Sequence, residues 1–145
     1  MEFVIWLSVV LGVLGLGMGA MVWAYRRPLG QSALFPTPVI TLSTPLSDQN
    51  RAQFEAGCAV FAQGRYPAAI DQFIAVMVAA PDCAEAFHNG GLAYANMGTD
   101  GLAVQALLKA CDLYDRQSTK AGLDLVKHQL EQIAGRQGLN PRSAA

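Results

Sequence analysis

From Asp48 onward the apolar and small residues return at helical spacing, and the whole pattern then returns 34 positions later. Gly57, Gly64, Ala69, Phe73 and Pro81 are followed at that offset by Gly91, Gly98, Ala103, Leu107 and Asp115. Ala52 and Ala86, Ala59 and Ala93, Val60 and Tyr94, Ile70 and Val104, and Ile74 and Leu108 pair in the same way. A fixed period of this length marks stacked helical hairpins. Ser47 offers an N-cap and Asp48 a charge suited to the start of a helix, so the first helix is predicted over 48–63. Gly64 breaks it, Pro67 suits the next start, and a second helix follows over 68–79 before Pro81. The next hairpin is predicted over 84–97 and 101–114, with Gly98 between its helices. Leu123, Val126, Leu130 and Ile133 then form a stripe on a last helix over 118–134, which covers the end of the stack, and 135–145 is read as a flexible tail.

The N-terminal pattern differs. Phe3–Tyr25 is uncharged and longer than the roughly 20 residues that cross a bilayer as a helix. Trp6 lies near one end and Trp23 and Tyr25 near the other, about 28 Å apart along a helix, where interfacial aromatics are expected. Arg26 and Arg27 flank the run on its C-terminal side and only Glu2 precedes it, which favours a cytoplasmic location for the repeats. Residues 1–27 are therefore read as a transmembrane anchor. Ser8, Gly12, Gly15 and Gly19 share one face of it, where a partner helix in the membrane can approach closely. Residues 28–47 contain Pro28, Pro36, Pro38 and Pro45 and read as an extended linker. Leu34, Phe35, Val39, Ile40 and Leu42 are too apolar for a freely solvated tether, so part of it is expected on the repeat domain, in its groove or on a partner.

Composition narrows the reading. A net charge of -1, with 10 basic and 11 acidic residues, offers no footprint for nucleic acid. Cys58, Cys83 and Cys111 fit no paired zinc or redox motif and read as packing residues.

Residues 50–117 resemble two tetratricopeptide repeats (TPRs), 50–83 and 84–117, within a repeat domain of 48–134. Phe87, Gly91, Tyr94, Ala103 and Leu107 carry the resemblance in the second repeat, and Gly57, Ala69, Phe73 and Pro81 in the first. Gln53, Gly90 and Asp115 depart from it, standing where an aromatic, a leucine and a proline are usual. The implied fold class is all-α: an N-terminal transmembrane helix, two TPR hairpins and a C-terminal capping helix. The resemblance also implies a groove lined by the first helix of each hairpin. Carried onto this chain, the partner-binding positions are Arg51, Phe54, Cys58, Phe61, Ala62, Glu85, His88, Asn89, Leu92, Ala95 and Asn96. Repeats that clamp acidic C-terminal tails use basic residues together with asparagines, and only Asn89 falls on that pattern here. An apolar helix or an extended apolar segment is the better-matched protein partner.

No catalytic constellation, cofactor motif or small-molecule site is expected, and the chain is read as a non-enzyme. His88 and His128 lie on different helices without a third ligand at metal spacing, Gly90–Gly91 lacks the rest of a phosphate loop, and Asp71, Glu85 and Asp112 are assigned to solvent faces. The expected function is a single-pass, membrane-anchored interaction scaffold with its repeats on the cytoplasmic side of a thylakoid or plasma membrane. It would help assemble or stabilise a membrane protein complex, as photosynthetic assembly factors of similar layout do. A permanent structural subunit and a receptor for targeting peptides are the alternatives.

Overall fold

A computed structural model describes residues 33–138, in which five helices and no strand are found. The expected membrane anchor, with Ser8, Gly12, Gly15 and Gly19, lies outside the described residues, as do residues 28–32 and 139–145. Among the described residues no helix is long and apolar enough to cross a membrane.

The helices are α1 (Asp48–Ala62), α2 (Tyr66–Ala79), α3 (Ala84–Asn96), α4 (Asp100–Arg116) and α5 (Lys120–Arg136). Ser47 caps α1, its Oγ accepting from the Asn50 amide at 3.3 Å. Gly64 and Gly98 end α1 and α3 at φ +73° and +76°, a backbone state open to glycine at little cost. At the end of α4 the same left-handed state falls to Ser118, at φ 56°. The second helix begins two residues before its predicted start because Pro67 fits within the first turn rather than ahead of it. The fourth and fifth helices each run two residues beyond their predicted ends. Gly135 stays helical, and the positive φ falls to Gly138.

Consecutive helices are antiparallel. Gln53 meets Gln72, Phe54 meets Phe73 and Phe61 meets Tyr66, so contacts move backward along α2 as they move forward along α1. Both hairpins use one device at the crossing. A Cβ on Gly57 would stand 2.7 Å from the Phe73 ring, and one on Gly91 would stand 2.7 Å from Leu107 Cγ and 3.2 Å from the Ala103 carbonyl oxygen. Phe73 and Leu107 are themselves related by the 34-residue offset, so the repeat in sequence is a repeat in packing. Gly90 faces the tip of Met77 on the preceding hairpin, and Gly122 faces the ring of Tyr114. Helix α5 reaches back to α3 as well: His88 pairs with Gln129, and Arg136 donates to the Ala95 carbonyl at 3.0 Å and pairs with Asp100. The constant offset of these two α3–α5 contacts shows that the two helices run parallel.

The residues ahead of α1 are not a solvated tether. Phe35 belongs to the hydrophobic core at 6% exposure, with Leu34, Leu42 and Leu46 packed against that core. Of the locations open to this segment from sequence, it lies on the repeat domain, between its first and third helices.

Candidate functional site

The segment 33–46, here called the strap, lies along α3 in the direction opposite to the helix. Phe35 pairs with Asn96, Val39 with Asn89 and Ser43 with Glu85, so the strap advances as α3 recedes. Two of these contacts are bidentate. The Asn96 amide accepts from the Phe35 N–H at 2.9 Å and donates to the Phe35 carbonyl at 2.7 Å. Asn89 does the same for Val39, at 2.7 and 2.8 Å. The third contact is single, the Ser43 N–H donating to Glu85 Oε1 at 2.8 Å.

A primary amide presents one acceptor and two donors in a plane, which matches the N–H and C=O of a single extended residue. Such a pair reads backbone rather than side chain. Asn89 is buried, and its groups are all used: the second amide N–H points to Cys58 Sγ at 3.6 Å, and that thiol lies 3.8 Å from the Val39 carbonyl. Val39 is thus held between α1 and α3, with Cys58 from one and Asn89 from the other.

Strap residues 36 and 38 are prolines, whose missing N–H costs nothing here because the groove takes its donors from 35, 39 and 43. The eight steps from Phe35 to Ser43 would reach about 27 Å if fully extended, while their partners on α3 span about 16 Å. Bends at Leu34–Phe35, Thr37 and Ser43–Thr44 take up the difference. Side chains divide by face: Phe35 enters the core, and Ile40 stands 74% exposed.

The predicted partner-binding positions fall into three groups. Cys58, Glu85, Asn89 and Asn96 are brought together and touch the strap. Arg51 and Ala62 are exposed on α1. Phe54, Phe61, His88, Leu92 and Ala95 are fully buried, which corrects their expected place on an open concave surface. Phe54 packs on Phe73 and Phe61 on Tyr66, so these rings close the first hairpin. Glu85 is likewise buried, where a solvent face was expected; Asp71 and Asp112 are exposed. Its Oε2 lies 3.8 Å from Cys83 Sγ, which gives both carboxylate oxygens a partner.

His88 sits inside the second hairpin. Its Nε2 donates to Gln129 Oε1 at 2.5 Å, and its Nδ1 accepts from the Tyr114 hydroxyl at 3.1 Å. These partners suit the neutral ring, and burial lowers its pKa against the opposing influence of Gln129 and Glu85. Tyr114 is raised by the same burial, with Glu85 and Cys83 adding to it. Burial pushes the thiols of Cys58 and Cys83 up to about 11, so neither is a ready nucleophile at neutral pH in this closed state. All three cysteines are free, and no cluster of metal-ligating side chains is found among the described residues.

The tertiary burial of Glu85, His88 and Gln129 has no counterpart in the sequence pattern, which assigns Gln129 no role. A signal is present in that Asn89 and Asn96 lie seven apart, two helical turns, on one face of α3. Comparison with family models finds no match, and neither does comparison with curated proteins or with solved structures.

Proposed function

We propose that the two hairpins are tetratricopeptide-type repeats and that the chain is a membrane-anchored scaffold whose α1–α3 groove holds extended protein segments. One observation carries this reading. The groove already holds an extended segment, through asparagine side chains that address backbone groups at Phe35 and Val39. That chemistry suits a protein ligand better than a nucleotide, a metal or a small substrate. The uncharged run Phe3–Tyr25 supplies the proposed anchor, and Arg26–Arg27 the proposed cytoplasmic orientation of the repeats. Anchoring raises the local concentration of a weak binder at its target, so a groove of this size suffices for work on one membrane complex.

A photoreactive residue at Arg51, exposed on α1 two helical turns before the strap-contacting Cys58, tests the reading in native membranes. A discrete crosslinked protein is expected, and it should persist when Phe3–Tyr25 is replaced by an unrelated membrane helix. A second reading, a permanent structural subunit, draws support from the same strap, since a groove filled from within leaves the membrane helix as the main contact. Under that reading the helix swap abolishes association, no crosslink forms at Arg51, and the protein stays stoichiometric with one mature complex in detergent.

A further inference from the structure

The strap identifies the ligand chemistry of the groove. We propose that the groove takes, from a partner protein, an extended proline-containing segment with an aromatic residue followed four positions later by an aliphatic one, and that residues 33–46 compete with it from within the chain. The proposal rests on the scaffold reading above and adds the ligand class and its competitor.

Three features support a replaceable occupant rather than a fixed part of the core. Recognition at Phe35 and Val39 runs through backbone groups that any non-proline residue supplies, so the clamps fit other sequences equally well. Only Phe35 inserts deeply, while Val39 and Leu42 are half-buried and Ile40 is exposed. The strap is also irregular throughout and donates no hydrogen bond into a helix or sheet ladder, so its removal leaves all five helices with their own backbone pairing. Departure would free the hydrogen-bonding groups of Asn89, Asn96 and Glu85, with the Cys58 thiol beside them, and would reopen the apolar site that Phe35 fills.

Competition is a consequence of connectivity. The strap joins α1 directly through Ser47, so its local concentration is of millimolar order. A free segment of equal intrinsic affinity at micromolar concentration loses to it. A partner succeeds if it is itself held at the membrane or if it fills the Phe35 site better.

The test uses the full-length protein in detergent micelles and a fluorescent synthetic peptide of residues 33–46 as probe. Val39→Pro removes the N–H that Asn89 reads without opening a hole in the core, since Val39 is only half-buried. The Val39→Pro protein should bind the peptide about tenfold more tightly than the wild type, as expected for the loss of one buried hydrogen bond from the competitor. A peptide carrying the same proline should not bind, and Asn89→Ala added to the Val39→Pro protein should abolish binding. Alkylation of Cys58, read by mass spectrometry, reports strap release independently of the peptide. If Cys58 becomes reactive and the peptide still does not bind, the groove has no such ligand and the proposal falls. If Cys58 stays protected even in a protein carrying both Phe35→Ala and Val39→Pro, the strap is a fixed part of the fold and the proposal also falls. Equal peptide binding by wild type and variant overturns the competition. A heterodimer of wild type and variant that displaces the peptide assigns the groove to a second copy and overturns the heterologous partner. Failure of any of these kinds alongside a retained Arg51 crosslink leaves the scaffold reading standing and moves its contact outside the groove.

Discussion

Helices α1 and α3 occupy equivalent places in the 34-residue pattern, yet α1 buries four of its 15 residues and α3 ten of its 13. Ala52, Glu55 and Ala59 of α1 are exposed, whereas Ala86, Asn89 and Ala93, their partners 34 residues on, are fully buried. Helix α3 has α2 on one side, α4 and α5 on the other and the strap along its remaining face, while among the described residues α1 packs on α2, touches α3 more lightly and takes part of the strap. Position in the stack, rather than local sequence, decides how much of an equivalent helix leaves water. It also explains why α3 carries the buried polar residues: a helix enclosed on every side must pair its polar groups internally.

The comparison can be broken most sharply at matched alanines. Ala93→Leu should cost about 2 kcal/mol by overpacking a closed interior, lowering the melting temperature of the repeat domain by about 10 °C. Ala59→Leu should stay within about 0.5 kcal/mol on an exposed face. Equal shifts in thermal unfolding would show that α1 is as enclosed as α3.

A smaller effect is expected where the strap meets each helix. Asn89→Ala removes both hydrogen bonds to Val39 and should cost about 1 to 2 kcal/mol, with faster alkylation of Cys58. Glu55→Ala, at the matching position of α1, should change neither reading measurably. Denaturant midpoints and thiol kinetics on the two variants decide it; parity between them would deny that the strap contact resides mainly on α3.

The smallest effect is a pH dependence. His88 has a folded-state pKa below its ordinary 6.5, so the unfolded chain binds the proton first. Its contribution is complete above about pH 6.5 and is lost as pH falls from there towards the lowered folded value. The wild type should therefore lose more stability than a His88→Gln variant between pH 7.5 and pH 5, measured by denaturant unfolding. An identical acid limb in both proteins would mean that the ring already accommodates a proton in the fold.

Much of the helical layout was legible. The Gly57–Phe73 and Gly91–Leu107 contacts follow from the 34-residue offset, because a crossing needs one small and one large residue and the sequence supplies both twice. Helix ends were readable where Ser47, Gly64 and Gly98 punctuate the chain, and drifted by two residues at α4 and α5, beyond which the left-handed state falls to Ser118 and Gly138. The candidate site was half legible. Cys58, Glu85, Asn89 and Asn96 lie on the predicted groove, whereas Phe54, Phe61 and Leu92, assigned to it by the resemblance, are fully buried.

Local sequence determined the helices and the crossings because those depend on residues a few positions apart and on a period that repeats them. The burial of Glu85, His88 and Asn89 depends on neighbours 26 to 50 residues away, Tyr114, Gln129 and the strap, and no local pattern carries that information. The strap shows the same division. Its prolines and apolar residues foretold an extended chain unsuited to water, but a backbone N–H and C=O look alike at every residue. Only the folding of α1 against α3 brought two asparagine amides to the two peptide groups they hold.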